Sequence, residues 1–257
     1  MSSSARLIEP DIFDETVRLV AAAQEQDVAM RLLGGIAIVM HVGGLLHPAF
    51  KREIQDIDVA TPKRGGRSVS EFLATQGYTP NKTFNAMHGA SRLLFYDEPN
   101  ERQIDVFVGS SSMCHELPLE ERLEVEPVTL PLAELLLTKL QIVKLNKKDA
   151  YDIYSLLLTH EVGESDSETI NSARVTELCA ADWGLYRTAQ LNFERLRTAF
   201  EVPELTGAEL QTILDRIRAL EEAVERAPKS RKWKLRARVG DRVRWYEDPE
   251  EVEKGAY

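Results

Sequence analysis

The sequence predicts an α+β fold, with strands gathered in the first half, helices in the second and a β-hairpin near the end. Three observations carry this. Two short runs, Asp56-Ile57-Asp58-Val59-Ala60 and Gln103-Ile104-Asp105-Val106-Phe107-Val108, set acids inside apolar residues at the period of a strand. An apolar strand, Met30 to Leu33, breaks at Gly34-Gly35 and leads into an apolar helix, Ile36 to Val42. From Leu132 to about Arg226 the apolar spacing is that of helices throughout.

Taken in order, Pro10 to Gln26 reads as a helix: Pro10 and Asp11 suit its first turn, and Ile12, Phe13, Val17, Val20 and Ala21 form a stripe. The Gly-Gly unit follows, and a polar connector from His47 to Gln55 leads into the Asp56 strand. Thr61 to Arg67 reads as a loop, and Val69 to Thr75 as a short helix stopped by Gly77. Strands are expected near Thr83, at Ser91 to Tyr96 and at Arg102 to Val108, the last two joined by a turn at Asp97-Glu98-Pro99-Asn100. Leu132 to Leu145 places leucines on one helical face, and a second helix begins after Asn146. A polar break at Glu161 to Asp166 precedes helices over Ser167 to Asp182, Leu185 to Phe200 and Ala208 to Arg226. Lys232 to Val239 and Arg242 to Tyr246, separated by Gly240-Asp241, read as a basic hairpin, and Glu247 to Glu253 as an acidic tail. The chain thus divides into residues 1–130, a helical part over 131–228, and the hairpin with its tail over 229–257.

Composition narrows the class. A chain of 257 residues, 43% hydrophobic and 29% charged, fits a soluble globular protein. Its net charge of −10 argues against a surface coated for nonspecific nucleic-acid binding, though not against a local basic face. Only two cysteines occur, Cys114 and Cys179, outside any CxxC pair, which reads as a reducing, cytoplasmic setting without structural zinc. Met1 to Arg6 lacks the apolar stretch of a signal peptide, and the longest apolar run, Leu32 to Leu46, falls short of the roughly 20 residues a spanning helix needs. No membrane segment is expected.

The chemistry concentrates in few residues. Side chains alternate along a strand, so Asp56 and Asp58 share a face about 7 Å apart, with Ile57 and Val59 turned to the core. Two carboxylates so placed repel unless a positive group sits between them. A Gly-Gly turn opening a helix lets backbone N–H groups approach a phosphate, and the helix N-terminus favours the anion. A phosphate cradle followed by a divalent-metal carboxylate pair suits phosphoryl or nucleotidyl transfer. Asp105 repeats the pattern, and a third carboxylate on that face is what a two-metal site requires. Lys139 lies on an apolar helical face and must either snorkel out or meet an anion.

Gly34-Gly35, the Asp56-Ile57-Asp58 pair, Asp105, Leu136-Leu137-Thr138-Lys139-Leu140 and Lys148-Asp149-Ala150-Tyr151-Asp152-Ile153 together resemble the AbiEii-like nucleotidyltransferases. That family belongs to the DNA polymerase β-like superfamily and includes the toxins of type IV abortive-infection toxin–antitoxin systems. The resemblance covers roughly residues 30 to 160. It implies a small mixed sheet flanked by helices, then a helical C-terminal part. It also implies transfer of a nucleoside monophosphate from an NTP to an RNA (tRNA among them), protein or small-molecule acceptor, with an antitoxin protein as partner. On that resemblance Asp56 and Asp58 bind Mg²⁺, Asp105 is a ligand or general base, and Gly34 and Gly35 seat the triphosphate. Lys139 neutralises phosphate charge, and Lys148, Asp149 and Asp152 line the nucleotide or acceptor side. One departure stands out: the family carries Ser or Thr directly after the glycines, where this chain has Ile36. The missing hydroxyl bond is worth about 0.5–1.5 kcal/mol. It favours the rival reading, a catalytically silent domain that binds a nucleotide or a protein.

Plainer readings exist for several of these residues. Asp-x-Asp occurs in turns and surface strands, and Gly34-Gly35 also suits a plain strand-to-helix turn. Asp149 and Asp152 are equally read as helix-surface carboxylates paired with Lys147 or Lys148. Arg52 could contact phosphate, but reads rather as solvated; His41 reads as core and the other histidines as surface. The basic hairpin, with Trp233 and Trp245, reads either as a grip for single-stranded or tRNA-like RNA or as a sheet edge protected by charge.

Overall fold

The computed structural model describes residues 8–248. The acidic tail beyond Asp248 and the segment before Ile8 lie outside the described residues. Helix α1 (Ile12–Glu25) is capped by Asp11, whose carboxylate accepts from the Phe13 and Asp14 amides. Strand β1 (Arg31–Leu33) runs straight into α2 (Gly34–Val42), with no connecting residue between them. Then come β2 (Asp56–Thr61), α3 (Gly66–Thr75), the short β3 (Thr79–Pro80) and α4 (Lys82–His88). The hairpin β4 (Arg92–Asp97) and β5 (Arg102–Val108) follows, then a smaller one, β6 (Ser110–Ser112) and β7 (Glu116–Pro118).

The five-stranded sheet has the order β1-β2-β5-β4-β3. Only β2 and β5 are parallel; the other neighbours are antiparallel, so the sheet is mixed. Ile57 and Val59 on β2, with Ile104 and Val106 on β5, are fully buried on one face. This leaves the intervening acids on the other, as alternation requires.

The helical half opens with α5 (Leu132–Leu140) and α6 (Lys147–Thr159). It continues through β8 (Glu161–Gly163), β9 (Thr169–Asn171), α7 (Ser172–Ala181), α8 (Trp183–Thr198), α9 (Gly207–Arg226) and α10 (Arg231–Val239). One hydrophobic core extends from Leu19 on α1 through the sheet to Val224 on α9. Among the described residues no helix is long and apolar enough to cross a membrane.

The structure corrects four expectations. The stretch near Thr83 is helix α4, not a strand: Asn81 caps it by accepting from the Phe84 amide, and Phe84 stacks on His88 one turn later. Helix α5 stops at Leu140 because the Asn192 amide takes the Leu140 and Ile142 carbonyls, and Arg195 takes that of Val143. The polar break is bordered by a small parallel pair, β8 with β9, so the second half is not wholly helical. Among the described residues there is no terminal β-hairpin. Lys232 to Val239 lies in α10, where Ser230 caps the helix and Gly240 ends it at φ +61. Its half-buried residues Trp233, Arg236 and Ala237 have the three- and four-residue spacing of a helix, and Lys, Arg, Leu and Ala all favour one.

Candidate active site

The parallel register aligns Asp58 on β2 with Asp105 on β5 as direct partners. Asp56 lies two residues earlier on the same face of β2, close enough that its charge acts on both carboxyls. Gly34, at φ +70, is the turn from β1 into α2, and a Cβ there would stand 2.0 Å from Asp58 Oδ2. Glycine is required on both counts. A Cβ at Gly35 would stand 2.3 Å from an Arg52 terminal nitrogen. The two glycines thus let an acid and a base lie against the first turn of α2, whose N-cap Leu33 supplies no side-chain acceptor to that turn's N–H groups.

Helices α5 and α6 close the site from the other side. Lys139 Nζ lies 3.1 Å from Asp149 Oδ1 and 3.0 Å from Asp152 Oδ2. Burial alone would lower the lysine pKa, but Asp152 and Asp149 outweigh it and hold the ammonium above its ordinary value. Lys139 therefore meets anions rather than snorkelling. Asp149 and Asp152 are buried, not surface carboxylates. Asp152 also holds Arg52, through Nη2 at 2.8 Å and Nε at 3.2 Å. Arg52 is therefore a paired residue of the site, not a solvated one. Lys148 is exposed, on the rim of a cleft of about 210 Å³ shared with Gly35, Asp56 and Asp149.

A larger cavity of about 740 Å³ opens on the other side of Asp58 and Lys139, which line both. Gly34, Asp105 and Asp149 also face it. Of the residues proposed from sequence, Asp56, Asp58, Asp105, Gly34, Gly35, Lys139, Lys148 and Asp149 border these two spaces, and Asp152 stands behind Lys139.

Arg92 was not expected here. From β4 it donates through Nε to Asp105 Oδ1 at 2.7 Å and through Nη2 to Oδ2, a two-point pairing that covers both oxygens. Its signal was present in the hairpin: the turn at Asp97 to Asn100 sets Arg92 opposite Phe107, hence diagonal to Asp105 on one face. Burial raises the Asp105 pKa in spite of the hydrogen bonds and charge of Arg92. Asp58 is pushed up to about 7, by burial first and the neighbouring Asp105 next, against the pull of Lys139. Among the buried and half-buried charges here, Asp56, Asp58, Asp105, Asp149 and Asp152 outnumber the cations Arg52, Arg92 and Lys139, while Lys144 and Lys148 are exposed at the rims.

That imbalance suits a divalent cation, and Asp56 and Asp58 offer the hard oxygen donors such an ion prefers. Among the described residues no three His, Cys, Asp or Glu side chains are grouped to hold a metal as they stand. Asp105 is bonded to Arg92 instead.

The histidines divide differently from expectation. His41 is half-buried, with Nε2 2.7 Å from Thr129 Oγ1, whereas His115, expected at the surface, is buried 2.8 Å from Thr188 Oγ1. Trp233 and Trp245 turn inward, donating to the Cys179 carbonyl and to Thr188 Oγ1, so neither is an open stacking platform.

Comparison with protein-family models found no match, and a search of curated proteins found none. What the site can do is read from its own chemistry.

Proposed function

We propose that the chain is a Mg²⁺-dependent nucleotidyltransferase that moves a nucleoside monophosphate from an NTP to an acceptor hydroxyl. The observation that carries this reading is the register pair Asp58–Asp105, with Asp56 on the same face, set against the Gly34 turn and opening on a nucleotide-sized cavity. Asp56 and Asp58 would hold the cation, which when bound supplies Lewis-acid stabilisation of charge on phosphate oxygens. The N–H groups opening α2, with Arg52 beside them, receive phosphate. Lys139, kept charged by Asp149 and Asp152, neutralises more of it. The acceptor oxygen bonds to the α-phosphorus, the α–β bridging bond breaks and pyrophosphate leaves with that electron pair. The hydroxyl proton passes to Asp105, whose raised pKa suits a base and whose carboxylate Arg92 orients.

The acceptor is an RNA such as a tRNA end, a protein hydroxyl or a small molecule, and a protein antitoxin is the corresponding partner. For an RNA acceptor, the exposed Arg231, Lys232, Lys234 and Arg238 of α10 form a basic face suited to phosphate contacts.

A second reading rests on Arg92. A guanidinium bonded to both oxygens of Asp105 also describes a domain that has lost its chemistry and only binds a nucleotide or a protein. Incubation with α-labelled NTPs, Mg²⁺ and total RNA separates the two. Label transfer by wild type and not by Asp58→Ala supports the enzyme. NTP binding without pyrophosphate release supports the silent domain. Transfer that survives in Asp58→Ala places the chemistry elsewhere.

A further inference from the structure

The cavity has a second lining that phosphate chemistry does not use. Beyond Asp58, Asp105 and Lys139 it is bordered by Phe107, Met113, Ile142, Val143 and Tyr246. Triphosphate and cation account for the charged wall, whereas an apolar wall with aromatic residues calls for a flat, weakly polar group. In an NTP that group is the base.

One of the two aromatic residues, Tyr246, comes from the end of the described chain, and that segment is fastened rather than loose. Arg236 Nη2 donates to the Val243 carbonyl at 2.9 Å. Trp245 donates through its indole N–H to Thr188 Oγ1 at 3.1 Å and meets Trp183 edge to face at 6.3 Å. The Glu247 amide donates to the Cys114 carbonyl at 3.1 Å, and Cys114 Sγ accepts from the Val143 amide at 3.5 Å. Cys114 therefore ties the C-terminal segment to the loop after α5, which supplies Ile142 and Val143 to the apolar lining. The Tyr246 ring meets Trp245 edge to face, at 5.4 Å and 73°, and has the Arg244 guanidinium 4.7 Å from its centre on one face. A ring so braced offers stacking area at little entropic cost.

We propose that the C-terminal segment completes the nucleotide pocket through Tyr246, the surface on which the base of the bound NTP packs. This rests on the nucleotidyltransferase reading and adds to it a base subsite supplied from outside the sheet. Stacking tolerates any base, since each has a π-face, so the segment contributes affinity for nucleotides over bare phosphate rather than choice among them.

The test is calorimetric titration of the full chain, in Mg²⁺, with α,β-methylene NTPs and with inorganic tripolyphosphate. Tyr246→Ala is expected to weaken analogue binding about tenfold. Tyr246→Phe, which keeps the ring, stays within about twofold. Tripolyphosphate binds all three proteins alike, which also shows that the variants are folded. Wild-type affinity for the analogue in Tyr246→Ala overturns the base subsite and leaves the nucleotide reading standing. Equal wild-type affinity for tripolyphosphate and NTP analogue does the same. Failure of wild type to bind either removes the nucleotide reading and this subsite with it.

Discussion

Helix α5 carries two buried ionic clusters, one at each end, and they are built differently. Near its N-terminus Glu134 is 1% exposed and accepts from Arg122 Nε at 2.7 Å, Arg122 Nη2 at 3.1 Å and Arg174 Nε at 2.8 Å. Arg122 also reaches Asp166 at 2.6 Å. Burial would raise the Asp166 pKa, but its bonds from Arg122 and Asn171 hold it below the ordinary range. Each acid here has its donor. At the other end Lys139 faces carboxylates that outnumber the local cations, and Asp58 is driven up to about 7. The helix dipole favours both signs, an acid in the first turn and a base in the last, so it does not separate the clusters. Charge balance does. A closed, neutralised cluster fixes α5 against β7, α7 and the loop that holds Asp166, whereas an acid-rich cluster open to a cavity is left short of positive charge that a ligand can bring.

The sharpest way to break this contrast is Asp58→Asn. On the enzyme reading it lowers nucleotidyl transfer by ~10³-fold or more, since it removes a ligand acting on the reacting phosphate. At pH 8 the same change raises the melting temperature, because it deletes a carboxylate whose ionisation is resisted. Label transfer and thermal melts on one preparation read both. A variant that melts below wild type at pH 8 would make Asp58 a structural charge like Glu134.

Glu134→Gln is the opposite case. Removing one partner of a buried network leaves Arg122 and Arg174 uncompensated, with an expected loss of about 3 kcal/mol in urea unfolding. On the enzyme reading, turnover per folded molecule stays within about twofold. If turnover falls more than the folded fraction does, the two clusters are coupled through α5 and the division fails.

A smaller effect, on the order of 2 kcal/mol, comes from pH. The Asp58 pKa is about 7 folded and near the ordinary carboxylate value of about 3.9 unfolded, so the folded state binds the extra proton between them. Its contribution is fully present below about pH 4 and is lost as pH rises through 7. The stability of wild type minus that of Asp58→Asn should therefore fall from pH 5.5 to 8.5, and millimolar Mg²⁺ should restore it at the alkaline end. A flat difference across that range would mean that Asp58 titrates as an ordinary carboxylate.

Much of the acidic half of this comparison was legible in the sequence, because its signals are local. Alternation put Asp56, Asp58 and Asp105 on strand faces, and the glycine pair marked the β1–α2 turn. The parallel register that makes Asp58 and Asp105 partners is a product of the crossover between β2 and β5, and no local pattern specifies it. Arg92 follows from hairpin register once the turn is placed, but Arg52 reaches Asp152 across 100 residues of chain and leaves no trace in spacing. The Glu134 network is of the same long-range kind. The misread C-terminal stretch shows the converse limit: eight residues of alternating basic and apolar character fit a strand and a helix equally, and docking on α8 decides between them.

The smallest expected effect concerns Ile36, the position at which the family resemblance departs. Its side chain is 0% exposed and belongs to the hydrophobic core, so at this point of α2 the side chain turns inward while the backbone N–H remains part of the first turn. A hydroxyl introduced there would enter the core rather than meet a phosphate. Ile36→Thr should then cost about 2 kcal/mol of stability, as a buried ethyl group is replaced by a hydroxyl, and leave NTP affinity, the quantity that concerns the site, unchanged by calorimetry. A three- to tenfold gain in affinity, the value of one hydrogen bond of about 0.5–1.5 kcal/mol, would show that the side chain at this position does face the triphosphate. In that event the isoleucine has removed a working contact from the acid-rich end, and the silent-domain reading gains a second support beside the Arg92–Asp105 pair.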